Sequence, residues 1–457
     1  MKRFDWRWLA ISSVLVAALA AHAARRPQYG GTMQVAMRAA PTTLDPADRT
    51  LPDSFARRSL TMLMFDTLVT TDDNGRPQPS LAESWQASTG NQRWQFHLRR
   101  GVKFDDGTPL TAEIAAAALR SSNPAWTVSA EGESIVVEAG EPDAELPAEL
   151  TLARNAIVRR NADGKLSGTG PFRLVAWLPG KKLTLAANEN CWRGRPFLDG
   201  MEIEMGRSYR DQQIALESGK ADLVEVPAEQ LHRLSLAGHN AVSSLPVELL
   251  ALIFDGDAGS PDEKALREVL ALSVERASIH NVVFQGSGQP AGGLLPDWMS
   301  GYGFVFPTEP DLKRARHDRE AVHNSPAWTL GYDDSDPLAR LIAERVALNA
   351  HDAGLTLQPT ATAKTGLRLV RIPLVSADPW VALAEAEGAA GLPAAKSKGG
   401  SAEDLYAAEQ AELATQRIIP LLHLPVSYAA ASSVKNWSLR PDGSWNLGDA
   451  WLGSGKP

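Results

Sequence analysis

The residues best suited to chemistry are few in this 457-residue chain, and their spacing does not suit catalysis. The only cysteine is Cys191, which allows no internal disulfide and reads, beside Trp192, as a packed apolar group instead of a reactive thiol. The nine histidines are scattered. His232 and His239 would share one side of a helix, but no acidic or sulfur ligand completes a metal set with them. Asp105-Asp106 and Asp333-Asp334 are neighbouring carboxylates in turn-like contexts and point different ways, so they read as solvated turns, not as an acid–base pair. Gly453-Ser454-Gly455-Lys456 has no helix after it and cannot cradle phosphate. Gly286-Ser287-Gly288 lacks the Gly-x-Ser-x-Gly spacing of a nucleophile elbow. No catalytic residue, metal or cofactor is therefore expected. Of the 13 tryptophans, most are expected in the core, and Trp298 and Trp380 sit in Pro/Gly-punctuated segments that suit a cleft wall.

Elements able to position such groups are legible. Thr32 to Met37 alternates like a strand, and residues 55–70 carry Leu60, Leu63, Met64 and Leu68 at helical spacing. Asp72-Asp73-Asn74-Gly75 is a two-strand turn signal. Trp94 to Arg99 alternates again. In the stretch Phe104 to Glu113, Asp106-Gly107 tolerates positive φ, Thr111 caps a helix through Leu119, and Glu113 suits its positive end. A hairpin, Phe172 to Trp177 and Leu183 to Ala187, turns at Pro179-Gly180. Amphipathic helices are expected near 208–218, 262–284, 336–353 and 401–417, the last opened by the capping-box residues Ser401 and Asp404. Leu367 to Val375 reads as a buried strand and Ala386 to Gly400 as an exposed loop.

Length and charge bound the rest. A chain of 457 residues exceeds what one core supports, so at least two cores are expected. Lys2, Arg3 and Arg7, then uncharged Leu9 to Ala20, then Ala21-His22-Ala23, have the order of a secretory signal peptide over residues 1–23, cleaved after Ala23. Its apolar run is too short to span a bilayer. Three basic residues and Asp5 fall in that segment, so removing it leaves 43 of the 46 basic and 53 of the 54 acidic residues, about −10 net. That sign disfavours nucleic acid or an anionic membrane as partner. Export to the periplasm follows, and Cys191 lies too far from the signal to carry a lipid anchor.

The order of segments resembles the extracytoplasmic solute-binding proteins of the oligopeptide, dipeptide and nickel transport family, family 5. The matching pieces are Gly30 to Ala36, Thr43-Leu44-Asp45-Pro46, Pro79 to Trp85, Trp94 to Glu113, Gly168-Thr169-Gly170-Pro171-Phe172, Leu216 to Asp222 and Leu266 to Arg276. The resemblance implies an α/β, two-lobe periplasmic binding protein fold, type II and cluster C-like, with an extra subdomain in lobe one and a two-crossing hinge. Carried onto this chain, lobe one is 27–250 plus 419–457, its subdomain 51–165, and lobe two 251–418. The crossings lie near Leu249 to Phe254 and Ile419 to Pro425.

The same resemblance implies a receptor that encloses a small-molecule or peptide ligand, delivers it to an ABC transporter permease, and works as a monomer. Asp378, in Ser376-Ala377-Asp378, matches the aspartate that holds a peptide ammonium. Arg371 on the preceding strand matches a ligand-reaching position, and Leu51 and Asp53 fall in a loop that faces the cleft. The family's usual tryptophan before the Ala-Asp pair is absent, and Pro379-Trp380 follows it. A periplasmic sensor or chaperone with the same fold would share every one of these features; a hydrolase acting in the cleft would need a nucleophile or acid pair that the sequence lacks.

Overall fold

The computed structural model describes residues 26–49, 54–161, 164–301, 306–362, 365–392 and 400–453. Residues 1–23, Leu51 and Asp53 lie outside them.

Local signals place most elements. Ser54 caps the helix Phe55–Met64 through the Arg57 amide, Thr111 caps Ala112–Ser122 through the Ile114 amide, and Ser401 with Asp404 forms the full reciprocal capping box of Ala402–Ala414. Gly75, at φ 76°, turns between the strands Val69–Thr71 and Pro77–Pro79. Phe172–Leu178 and Lys182–Ala187 form the expected hairpin.

Two expectations fail. The single helix near 262–284 ends at Ser273, where Val274 turns extended, and only short helical turns, Arg276–Ser278 and Ile279–Val283, follow. The exposed loop from Ala386 begins instead as helix: Pro379–Ala390 buries Ala382, Ala386 and Ala390, four residues apart, beside Leu383, and stops at Gly391 with φ 70°. Alanine there is a small packing surface. Residues 393–399 of that loop fall outside the described ones.

Three apolar bodies result. One core gathers Met33, Leu60, Phe65, Leu185, Ile203, Tyr428 and Trp445. A second, within 68–157, packs Ala112–Ser122 on a four-stranded sheet built from Ala82–Ala87, Arg93–Leu98, Ser134–Glu138 and Thr127–Glu131 in that order. The third region holds two clusters, around Leu270, Val346 and Leu422 and around Leu294, Leu374 and Leu383.

A continuous main sheet joins the first and third bodies. Its order is Phe172–Leu178, Lys182–Ala187, Gly200–Glu204, Thr32–Ala36, Leu223–Glu225, Ile418–Ala430, Asn240–Phe254, Leu367–Pro373, Ala327–Gly331, Thr356–Thr360. Its middle is the antiparallel pair of long strands, 15 residues in Asn240–Phe254 and 13 in Ile418–Ala430. Asn240 to Ser243 pairs with Ser427 to Ala430, and Glu248 to Ile253 pairs with Ile418 to Leu424. Between these stretches the register slips, and there Pro246 faces Pro425. Neither proline has an N–H to donate, so the ladder cannot be continuous at that point. The break falls just before Leu249 to Phe254, which are themselves bonded into the ladder on both sides.

Candidate functional site

A cavity of about 490 Å³ opens where the two long strands cross between the bodies. Arg38, Phe55, Tyr209 and Glu225 line it from one side, Phe284, Asp333, Asp336 and Arg371 from the other, and Glu248 with Leu424 to Tyr428 from the crossing strands.

Arg371 is held rigidly. Its Nε donates to Asp336 Oδ2 at 2.6 Å and its Nη1 to Glu248 Oε2 at 2.8 Å, with the guanidinium 5.6 Å from the Phe284 ring centre. Burial works against its charge, but the Glu248 and Asp336 carboxylates outweigh burial and raise its pKa. Opposite, Arg38 donates from Nη1 to the Tyr209 hydroxyl at 3.0 Å and from Nη2 to the Ser335 carbonyl at 3.2 Å, a bond from one body to the other. The Arg38 amide donates to Glu225 Oε2 at 2.8 Å, and Gln212 Oε1 accepts from the Glu225 amide at 2.8 Å. Burial lifts the Glu225 pKa despite these neighbours. The cavity is thus a fixed array of charges beside apolar walls, the build of a specific small-ligand site.

Beside it, the second body, within 68–157, meets the third along a seam. Arg154 donates to Glu385 at 2.7 Å, Ala148 and Leu152 pack on Val375 and Val381, and the Asp72–Gly75 turn rests on Ala377 so closely that a β-carbon at Gly75 would overlap the Ala377 methyl. A cavity of about 60 Å³ on the seam is lined by Asp143, Glu145, Glu149, Arg154, Trp380 and Glu385. There Glu145 has its pKa pushed up to about 7, first by burial, then by the charge and hydrogen bond of Asp378, then by Asp143.

Of the six residues singled out from sequence, Arg371 lines the large cavity. Asp378 caps the helix Pro379–Ala390, its Oδ1 accepting from the Trp380 and Val381 amides at 3.0 Å each, and faces Glu145 across the seam. Trp380 is 7% exposed and packs mainly in the core, reaching only the small cavity. Trp298 does not line the large cavity: its Nε1 donates to the Pro246 carbonyl at 2.8 Å, bracing the break in the ladder. Leu51 and Asp53 are outside the described residues. The turn at Asp333 is as expected, Oδ1 accepting from Ser335 N at 2.9 Å, but this residue also lines the cavity, so it is not merely solvated. Arg38, Tyr209, Glu225, Glu248 and Asp336 went unnoticed because each is an isolated polar residue in sequence.

The Gly168 to Phe172 motif is structural. A β-carbon at Gly170 would lie 2.6 Å from the Met64 carbonyl carbon, so only glycine fits there, and Thr169 donates to buried Asp66 at 2.8 Å. Asp66 also accepts from Trp192 and Arg193. Burial raises the pKa of the neighbouring Cys191 thiol, as suits a packed group.

Residues 76–371 match the model for the bacterial extracellular solute-binding proteins, family 5. The chain belongs to that family. Family 5 proteins bind solutes for ABC importers and are not enzymes. The match runs from the strand Pro77–Pro79 through the hairpin and the long strand Asn240–Phe254 to Arg371 in the strand Leu367–Pro373. The chain is 24% identical over 362 residues, 72% of this chain and 70% of the relative, to the probable D,D-dipeptide-binding periplasmic protein DdpA of Escherichia coli. Its fold matches NikA from Staphylococcus aureus, solved with Ni(L-His)2, with a TM-score of 0.80 at 16% identity over 92% of this chain and 99% of that one. It likewise matches the oligopeptide-binding protein AppA from Bacillus subtilis, solved with a nonapeptide: TM-score 0.79, 18% identity, 93% and 100% coverage. The architecture is the two-lobe binding-protein fold.

Proposed function

We propose that this family 5 protein captures a short peptide between its lobes and closes on it, delivering the cargo as a monomer to an ABC permease outside the cytoplasm. The observation that carries this reading is the large cavity at the strand crossing, walled by both lobes and by the crossing strands themselves. Lobe one is taken as 27–250 with 419–457 and lobe two as 251–418, bending where Pro246 faces Pro425. A bend costs least where ladder hydrogen bonds are already missing.

Asp378 and Glu145 are the proposed contacts for the peptide ammonium, the arriving cation replacing the proton that Glu145 holds near neutrality. One ammonium–carboxylate contact is worth on the order of 4 kcal/mol at an effective dielectric near 20 before desolvation. Micromolar capture needs about 8 kcal/mol. The remainder comes from backbone pairing and side-chain burial in the large cavity. Among the described residues no helix is long and apolar enough to cross a membrane. Titration calorimetry with tri-alanine and its N-acetyl form tests the reading: binding of the free amine at least tenfold tighter supports it, and equal binding of the two removes the ammonium contact.

A further inference from the structure

A small cavity on the seam holds an arginine whose hydrogen bonds are incomplete. Arg58, on the helix Phe55–Met64, has a side chain only 4% exposed, and its Nη2 is paired with Asp442. Its Nε and Nη1 are buried and have no hydrogen-bond partner among the described residues. A guanidinium carries five donors, and leaving buried ones unmade is costly, so such a group calls for an explanation. Arg58 lines a cavity of about 20 Å³ together with Arg440, Thr70, Thr71, Ser376 and Asp442. Asp442 is already spoken for: its other oxygen accepts from the Ser444 amide at 2.8 Å and hydroxyl at 2.6 Å. Burial lowers the Arg440 pKa; Asp442 and Asp66 oppose the fall, and Arg193 and Arg58 add to it. Two guanidiniums and one carboxylate leave an excess positive charge, wet only by threonine and serine hydroxyls, at a point where lobe two supplies Ser376 and Ala377 as the wall.

We propose that Arg58 and Arg440 form a carboxylate subsite at the seam, which takes the free C-terminus of a short peptide. The inference rests on the peptide reading above and narrows it. Ser376 and Asp378 are two residues apart on one segment, at most about 7 Å between Cα atoms. The carboxylate and ammonium ends of a di- or tripeptide therefore reach both stations, whereas long peptides would have to leave the seam. Arg58 stands one turn beyond Phe55, which lines the large cavity, so one helix carries both the side-chain pocket and the charge. The cavity is small because the lobes are in contact; an occupying carboxylate would be admitted with them apart and enclosed on closing.

Saturation-transfer NMR on the full chain with propionate and propionamide tests the subsite without any peptide. Transfer to propionate that is lost in Arg440→Gln, with little to propionamide, is expected; equal transfer to both, or propionate transfer that survives in both Arg440→Gln and Arg58→Gln, overturns the subsite. Arg58→Gln also removes the partner of buried Asp442 and is judged only if its melting curve remains cooperative; Arg440→Gln carries the test otherwise. Calorimetry with tri-alanine and tri-alanine amide supplies the second arm. A preference of about tenfold or more for the acid, abolished in Arg440→Gln, is expected of a charge-assisted contact. Acid and amide binding alike would sink the subsite and leave the peptide reading standing. A propionate signal with no binding of either peptide would do the reverse.

Discussion

At the scale of single residues, the site is a set of charges whose partners lie far away in sequence. Arg371 and Glu248 are 123 positions apart, Arg38 and Ser335 297, and Arg58 and Asp442 384. Sequence patterns report neighbours a few positions away, so none of these pairs could be read from the chain, and of their members only Arg371 was singled out, through family resemblance. Replacing Arg371 with Met strands the partly buried Glu248 and Asp336. A loss on the order of 2 kcal/mol, below that of a fully buried pair, is expected in urea denaturation. Asp378 caps its helix and is the proposed ammonium contact, and a pair of substitutions separates the two. Asn caps a helix about as well as Asp, so Asp378→Asn should hold its melting temperature while tri-alanine binding falls about tenfold. Asp378→Ala should lose the cap as well, about 1 kcal/mol of stability. Unchanged affinity in Asp378→Asn would take this residue out of the ligand contacts.

At the scale of elements, what was legible is what is settled locally. The Thr111 and Ser401 caps, the Asp72–Gly75 turn and the hairpin at Pro179-Gly180 are decided by residues within a few positions of each other, and each forms as expected. The helix Pro379–Ala390 escaped notice because its alanines, glycine and glutamates carry no amphipathic stripe; it is helical because both of its sides meet protein, including the buried Glu387. Tertiary packing, not periodicity, decides such a segment. The opposed prolines were visible singly, but their facing one another was not, since pairing of the two long strands spans most of lobe two. The turn at Gly75 offers an element-level test. Gly75→Ala both strains a residue at φ 76° and puts a methyl against Ala377. About 1 kcal/mol of stability should be lost, and solution scattering should show a larger radius of gyration, because the turn can no longer rest on lobe two. A scattering curve identical to that of the parent would mean that this contact does not limit how far the lobes close.

At the scale of the whole molecule, lobe contact should depend on pH. Glu145 meets Asp378, Asp143, Glu149, Glu385 and Arg154 around the small seam cavity, and its pKa stands at about 7 against an ordinary 4.5. A carboxyl raised in the folded, closed form binds more protons there than when exposed. Its contribution to closure is therefore complete below about pH 4.5 and is given up as pH rises through 7. Without ligand, the lobes should separate more readily at pH 8 than at pH 5, and Glu145→Gln should flatten that difference in scattering. A bound ammonium reverses the balance by taking the place of the Glu145 proton, so cargo should be held more firmly at pH 8 than at pH 5. The proposed motion is a bend of the two long strands where their ladder is broken between facing prolines. The ligand biases that motion only through its differing affinity for the open and closed arrangements. Small-angle scattering of the protein loaded with tri-alanine and of the same protein stripped by unfolding and dialysis tests this most directly: the account expects the loaded form to be measurably more compact at pH 8, and superimposable curves at confirmed saturation would contradict it.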